Sequence, residues 1–484
     1  MTLLAIVLGT LSAISAVHLP VSTDSAAAQA AIDRGLFLYY AYDGGDAVRA
    51  FSQAASSDSQ LAMAYWGIAL AEGPDLNASE TAEHFNAGAR ASRQAVALER
   101  GLPPRERGFI DSMALRYRGN FSDWNRDDSD YRAALLAFAN SSQDENAQLL
   151  AAEALLEHGG LTWQNGTLSS EESRRAFALV TGVLRADPSN AMANHLCIHL
   201  YDLAPDRSAA RSCAQRLDAG AFQPGAEHLA HMPAHYWIET GDYAAALRSS
   251  ERAYQLMSSL IAADPDSQHV QQYEKHDVAV GYSAAMMLGD YAVAQQWSQR
   301  MAAAFDVSFE GITALRFGRY GVAFDAAGTQ FGGAAVRGLA ALHLGRTNEA
   351  RTLASRVPTG TGTSGYLQQF FLARLAEAQG RDDEALHWTQ QALQSQHNDF
   401  SGELIPLIPA GEVLGDFELR QGNVAAAAAA FSSDLADYPN DSRALFGLAE
   451  ALSASGAGAQ AAAARARSEQ TWQGADTSLD DALP

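Results

Sequence analysis

The chain has 484 residues, of which 48% are hydrophobic and 18% are charged, a composition that excludes a disordered protein and indicates a large ordered core. Its formal net charge is −23, so its surface repels phosphate backbones and nucleic acid is excluded as a partner. The same charge is compatible with metal ions or other cationic ligands, although solubility alone would also explain it.

The first segment, residues 1–28, is apolar or small from Met1 to about Val17 and is then rich in small residues. This pattern resembles a secretory signal peptide, although the basic residues that usually precede the apolar run are missing. The alternative is an N-terminal apolar helix packed against the first repeat. We expect an extracytoplasmic protein, periplasmic or secreted, and leave open whether the segment is cleaved. No later segment approaches the length of a membrane-spanning apolar run.

The next elements are helices without a clear repeat. Apolar periodicity predicts helices over residues 82–97 and 131–157, joined by polar and aromatic segments. The region between 76 and 180 is therefore expected to be helical but irregular.

From there to the C-terminal end a short pattern recurs, in which a glycine is followed five positions later by an alanine. It occurs at Gly241, Gly289, Gly345, Gly380 and Gly422. We expect each glycine to end one helix in a left-handed cap and the alanine to let the next helix pack closely against it.

This pattern resembles the tetratricopeptide repeat (TPR), a helix–turn–helix unit of about 34 residues. The resemblance implies an all-α, right-handed superhelical solenoid of TPR-like helix–turn–helix repeats over residues 29–470. Residues 471–484 are polar and acidic, and we expect them to form a flexible tail.

The two cysteines, Cys197 and Cys213, lie at equal distances on either side of Pro205, in a predicted turn between two helices. Antiparallel helices would bring them together, so a disulfide in an oxidising compartment and two buried free thiols both remain open.

Histidines are concentrated in the middle of the chain, where five of the 13 lie between residues 195 and 235. Their spacings of three and four place neighbours on one helix face, and the first pair recurs 36 residues later, about one repeat. In the repeat register a sixth histidine joins them, on places that line the concave groove of TPR proteins. The six candidate metal ligands are His195, His199, His228, His231, His235 and His276.

Neutral imidazole is the commonest metal ligand in proteins, so this set predicts a transition-metal site for Cu, Zn or Fe. Four nearby carboxylates are candidates to complete it: Asp202, Glu227, Glu239 and Asp277. Pro233 lies among the histidines, and because proline interrupts helices we expect a helix to begin near Met232. His228 and His231 would then lie in the turn before it.

The sequence of this region also resembles that of a group of bacterial TPR proteins. The matching phrases are Ala64-Tyr65-Trp66-Gly67, Asn194-His195-Leu196-Cys197-Ile198-His199, and His228-Leu229-Ala230-His231-Met232-Pro233-Ala234-His235. The group often carries His-Asn-x-His in the next unit, whereas this chain has His276-Asp277-Val278-Ala279. The resemblance implies the fold and the location of the site, and not a reaction.

Two functions from different classes follow. The first is a metal-binding solenoid, with a redox or hydrolytic reaction if it is an enzyme. The second is a non-catalytic scaffold whose groove binds a peptide, a protein partner or a small molecule, with the histidines tuning recognition. The sequence contains no Gly-x-Ser-x-Gly elbow, no phosphate-binding loop and no His-Glu-x-x-His motif.

Overall fold

The structure is a computed structural model that describes residues 14–159, 163–164, 166–202, 204–263, 268–326, 328–357, 365–399 and 406–479. Most of the predicted apolar run, residues 1–13, lies outside this part of the chain. The prediction of a signal peptide over 1–28 therefore stays a prediction.

The described chain is all-α apart from one short hairpin, which confirms the predicted fold class. The helices are α1 Ala26–Tyr40, α2 Gly44–Ser57, α3 Ala62–Ala71, α4 Ala82–Leu98, α5 Pro104–Arg116, α6 Trp124–Ser142, α7 Glu145–Gly159, α8 Glu171–Ala186, α9 Ala191–Tyr201, α10 Arg211–Asp218, α11 Glu227–Glu239, α12 Tyr243–Ala263, α13 Gln268–Met287, α14 Tyr291–Phe305, α15 Glu310–Arg316, α16 Tyr320–Asp325, α17 Gly333–His343, α18 Thr347–Ala354, α19 Gly365–Glu377, α20 Asp382–Asp399, α21 Ala410–Arg420, α22 Val424–Asp437, α23 Ser442–Ala454 and α24 Gly458–Thr471. The hairpin pairs β1 Trp163–Gln164 with β2 Thr167–Leu168 in antiparallel fashion. No helix in the described ranges is both long and apolar enough to cross a bilayer.

The chain forms two compact units. The first consists of the described residues up to Pro233 together with Arg252–Tyr273, and the second consists of Ala234–Glu251 and the chain from Glu274 onward. In the first unit α1 packs on α2, α3 on α4, and so on in chain order to α9 and α10. In the second unit the same order runs from α15 with α16 to α23 with α24.

A buried aromatic ring seated between glycines explains how helices approach closely in the first unit. Phe51 on α2 is fully buried, and a Cβ added at Gly35 or Gly67 would lie 2.7 or 2.3 Å from its ring. No side chain larger than hydrogen fits at either glycine, so α1 and α3 close onto the same ring.

The second unit uses the same device at the same chain separations. Phe431 on α22 is fully buried, and a Cβ at Gly415 or Gly447 would lie 2.6 or 2.3 Å from its ring. In both units the two glycines stand sixteen residues before and sixteen residues after the phenylalanine. This repetition in packing supports the TPR-like repeat predicted from the sequence.

The glycines of the recurring pattern cap helices as expected, with one exception. Gly241, Gly345, Gly380 and Gly422 have φ between 70 and 76°, the left-handed region that favours glycine. Gly289 is the exception, because it is not among the glycines with positive φ. Its lack of a side chain serves packing, since a Cβ there would lie 2.3 Å from the Cβ of Ala475.

The described part of the C-terminal segment, through residue 479, lies against that turn. The amide of Asp476 donates to the carbonyl of Gly289 at 3.1 Å. In return, the amide of Tyr291 donates to the carboxylate of Asp476 at 2.9 Å.

The two cysteines are joined, so one of the two open alternatives is settled. Cys197 on α9 and Cys213 on α10 form a disulfide, with their Cα atoms 6.4 Å apart. The bond links the two helices of one pair across the predicted turn.

Helix α11 begins earlier than the sequence suggested. It runs from Glu227 to Glu239 with Pro233 inside it, so the expectation of a start near Met232 was wrong. The start is fixed by the preceding turn, in which Gly225 has φ 92° and donates its amide to the Glu227 carboxylate at 3.0 Å. His228 and His231 are therefore helical, and the missing amide of Pro233 is tolerated inside the helix.

Candidate metal centre

Three of the six predicted histidines meet in the first unit. His195 and His199 lie one turn apart on α9, and His228 lies in the first turn of α11. The Nε2 atom of His195 is 3.1 Å from Nε2 of His199 and 3.1 Å from Nε2 of His228. We call these three residues the histidine triad. His195 and His228 are buried, while His199 keeps a small exposed fraction.

The second ring nitrogen of two triad members already has an acceptor. Nδ1 of His195 lies 3.0 Å from the main-chain carbonyl of Tyr40, and Nδ1 of His199 lies 3.2 Å from the carboxylate of Asp202. A carbonyl or a carboxylate accepts hydrogen bonds, so a neutral ring that donates from Nδ1 to this acceptor has a lone pair on its Nε2. The two Nε2 atoms then present lone pairs to each other at 3.1 Å.

Two lone pairs at that distance repel each other, and either a shared proton or a metal cation removes the repulsion. Tetrahedral zinc, with Zn–N bonds of about 2.0–2.1 Å, holds its nitrogen ligands about 3.3 Å apart. The observed separations of 3.1 Å are close to this value. Histidine ligands of metals commonly donate the other ring N–H to a carbonyl or a carboxylate, as His195 and His199 do here.

Tyr42 covers the triad and was not identified from the sequence. The centroid of its ring lies 4.5 Å from the His195 ring and 5.1 Å from the His228 ring, and it is stacked against the latter. Its φ of 56° places a bulky side chain in the left-handed region, an outlier that costs about 1–3 kcal/mol and is typical of functional sites. Tyr273 contacts His228 as well, with ring centroids 4.8 Å apart.

The other three predicted ligands are distributed over both units. His231 belongs to the first unit, with its ring centroid 6.2 Å from that of His228. His235 and His276 belong to the second unit, where their Nε2 atoms lie 3.5 Å apart and their rings stack. The predicted set of six is thus brought together in the first unit as a triad with His231 beside it, and in the second as a pair.

The four carboxylates expected near the histidines have different surroundings. Asp202 supports His199, as described above. Glu227 is buried and faces His269, whose Nε2 lies 3.4 Å away. Burial opposes ionisation of Glu227, but the hydrogen bonds from His269 and the Gly225 amide outweigh it and lower the pKa of that carboxyl. Glu239 and Asp277 are buried in the second unit.

His269 is a second residue that the sequence did not reveal. Its Nδ1 lies 3.3 Å from the carbonyl of Tyr42, and its ring packs on Tyr273 with centroids 4.8 Å apart. It therefore helps to hold the two tyrosines that contact the triad. It lies outside the repeat register of the six, so no spacing in the sequence marked it.

A cavity of about 320 Å³ is lined by Tyr42, Asp75, Glu80, His84 and His269, among others. Burial raises the pKa of Asp75 to about 6, although the amides of Asn77 and Ala78 oppose this. Burial also raises the pKa of Glu80 to about 7 against the positive charge of Arg116. Two carboxyl groups that titrate near neutral pH therefore line a cavity bordered by the ring that covers the triad.

Comparison with known proteins leaves the family open. No protein-family model matches the chain, and neither does any curated protein. Among solved structures, a Naa15/Naa10 complex bound to HypK-THB is 14% identical over 91% of this chain, which spans 63% of the matched chain, with a TM-score of 0.24. A human IFIT1 dimer with PPP-AAAA is 12% identical over 93% of this chain and 95% of its own, with a TM-score of 0.30. Yeast Tom70 is 12% identical over 92% of both chains, with a TM-score of 0.26. TM-scores of this size carry no argument about function.

Proposed function

We propose that this protein binds one transition-metal ion, Cu, Zn or Fe, through the Nε2 atoms of His195, His199 and His228. The observation that carries the proposal is the convergence of three Nε2 atoms at separations of 3.1 Å, with an acceptor beside Nδ1 of His195 and of His199. A bound cation removes the repulsion between facing lone pairs, and the fold already holds the imidazoles in the arrangement that would bind it. His231, His235 and His276 remain proposed ligands.

We also propose that the site is of the open type found in metalloenzymes. Three histidine ligands leave a fourth position for water or substrate, and a metal bound there would supply Lewis-acid or redox chemistry. The cavity lined by Tyr42 offers a small molecule a place close to a residue that contacts the triad, and Asp75 and Glu80 offer proton acceptors at neutral pH. These features favour a hydrolytic or redox enzyme over a storage site.

The Cys197–Cys213 disulfide supports an extracytoplasmic location, because such bonds persist in oxidising compartments. Together with the apolar N-terminal segment, it favours a periplasmic or secreted protein.

The test is elemental analysis of protein purified without a histidine tag. The variants are His199→Ala alone and His195→Ala/His199→Ala/His228→Ala together. His387→Ala/His397→Ala is the matched control, because it removes two exposed histidines of α20, a helix of the second unit. We expect near-stoichiometric Cu, Zn or Fe in the parent and in the control, at least a tenfold loss of affinity in His199→Ala, and no metal in the triple variant.

A further variant, His235→Ala/His276→Ala, tests the proposed ligands of the second unit, since retained stoichiometry would remove them from the set. Circular dichroism establishes that each variant is folded. If the folded parent takes up none of the three metals, the proposal fails. The alternative is then a non-catalytic scaffold for a peptide or protein partner. Metal-loaded parent and His199→Ala are finally assayed with chromogenic hydrolase and oxidase substrates.

A further inference from the structure

Three buried carboxylates meet in the second unit, far along the chain from the histidines. Glu412 lies in the first turn of α21, Asp434 in the last turn of α22, and Asp441 is the N-cap of α23. One carboxylate oxygen from each lies within 4.8 Å of the others. All three side chains are at least 97% buried, so water does not screen their charges.

Two buried arginines stand near this cluster and offset part of its charge. Arg316 binds Glu412 with both terminal nitrogens, one of them at 2.6 Å from Oε1. Arg443 donates to the carbonyls of Met286 and Arg316 at 3.2 and 3.4 Å. The guanidinium of Arg316 therefore balances Glu412.

Asp434 is the least compensated member of the cluster. Within the described chain, neither of its carboxylate oxygens has a hydrogen-bond partner, although the side chain is only 3% exposed. Asp441 uses one oxygen to cap α23, and its Oδ2 likewise has no partner among the described residues. Burying a carboxylate without a hydrogen-bond partner costs free energy of folding, so a bound proton or cation would stabilise the folded site.

A buried tyrosine hydroxyl of the second unit is a further polar group without a hydrogen-bond partner among the described residues. This hydroxyl belongs to Tyr243. Burial raises the pKa of this phenol, and the charges of Asp441 and Asp434 raise it further. Burial and mutual repulsion likewise raise the pKa of Asp434 and of Asp441. The three carboxyl groups, on α21, on α22 and at the start of α23, therefore form one group of buried oxygens.

We propose that Glu412, Asp434 and Asp441 form an oxygen-only site for a divalent cation of the size of calcium, independent of the histidine triad. Carboxylate oxygens are the ligands of hard cations, and nitrogen or sulfur ligands are not part of this set. Calcium binds oxygen at about 2.3–2.6 Å, so two oxygens on opposite sides of the ion lie about 4.6–5.2 Å apart. The three oxygens lie within 4.8 Å of one another, separations that the oxygen ligands of one such ion can adopt.

The test uses Asp434→Asn, which keeps the shape of the side chain and removes its charge. Asp437→Asn is the matched control, because Asp437 lies on the same helix and is exposed. Both changes are made in the His199→Ala background, so that a failure of the triad site cannot be confused with a failure of this one. Protein stripped with EDTA is titrated with Ca²⁺, with Mg²⁺ in parallel, by calorimetry and thermal melting.

We expect one Ca²⁺ per chain and a rise in melting temperature in the background protein and in Asp437→Asn. At least a hundredfold weaker binding is expected in Asp434→Asn. If millimolar Ca²⁺ neither binds to nor stabilises the background protein, the proposal is overturned and the carboxyls share a proton instead. Should Asp434→Asn fail to fold, stoichiometry in the background protein and Ca²⁺-dependent protection of residues 434–445 from hydrogen exchange decide the question.

Discussion

Tyr42 shows how a single residue can mark a site that no motif reveals. Its backbone is held at a φ that tyrosine rarely adopts, and its ring contacts the imidazoles of the triad. Such strain persists only where the surroundings determine the conformation, here through the contact of its carbonyl with His269. The residue contacts the triad and also lines the cavity of about 320 Å³.

Glu80 gives a prediction about pH. Burial raises its pKa to about 7 from an ordinary value of 4.5. The folded state therefore binds the proton more tightly than the unfolded state. The resulting stability is fully present below pH 4.5 and is lost as the pH rises through about 7. Glu80→Gln does not ionise, so between pH 5 and pH 8 we expect it to gain about 1 kcal/mol of unfolding free energy relative to the parent, allowing for partial exposure.

Urea unfolding at several pH values measures this difference. Glu83→Gln is the control, because Glu83 is an exposed carboxylate close by in the first turn of α4. A constant difference between parent and Glu80→Gln across the pH range would contradict the prediction.

At the scale of helices, the disulfide braces the element that carries two triad members. Cys197 stands on α9 between His195 and His199, and its bond to Cys213 closes a separation of 16 residues. Closing a loop of that length removes unfolded-state entropy equivalent to about 3 kcal/mol.

Cys197→Ser/Cys213→Ser is therefore expected to lower the unfolding free energy by about 2–4 kcal/mol. It should also weaken metal binding, because α9 is less firmly held. Parent protein treated with a reductant should show the same loss, whereas the variant should not respond to the reductant. Equal stability of parent and variant would mean that the bond does not restrain the native pair.

The sequence predicted the helical pairs well because their signals are local. Gly345, Gly380 and Gly422 end turns with the φ expected from their positions, and the helix expected over 82–97 is α4. The helix expected over 131–157 is divided into α6 and α7 at Gln143, which adopts φ 56°. No glycine stands at this turn, so nothing in the sequence indicated the left-handed residue. Pro233 led to the opposite error. The sequence predicted a helix start near Met232, whereas the turn at Gly225 makes α11 begin at Glu227.

At the scale of the whole molecule, the repeat register predicted which helices bear histidines but not how these residues group. His195, His199 and His228 meet, as their helices suggested, whereas Tyr42, Asp75 and His269 come from distant segments. No periodicity connects such segments, since their proximity depends on how successive pairs stack. The flexible tail predicted over residues 471–484 stays a prediction, and composition alone could not show that the Asp476 amide donates to the carbonyl of Gly289.

The two units lead to a prediction about where metals act. The triad lies in the first unit and the carboxylate cluster in the second, and each unit is compact by itself. We expect a bound transition metal to protect amides of α9 and the start of α11 from hydrogen exchange, and Ca²⁺ to protect residues 410–445. Hydrogen exchange with mass spectrometry, with each metal added separately, measures both effects. Identical protection patterns for the two metals would contradict the assignment of separate sites.

The contact between Asp476 and the Gly289 turn has a practical consequence for anyone handling this protein. A protease that trims the chain after Thr471 would remove the indole of Trp472 and the methyl group of Ala475 from the glycine they cover. The turn between α13 and α14 would then be exposed. The fluorescence of Trp472 would be lost at the same time; its indole donates to the carbonyl of Thr477 and lies beneath the Arg443 guanidinium. Clipped material should therefore be recognisable by its fluorescence before any assay is run.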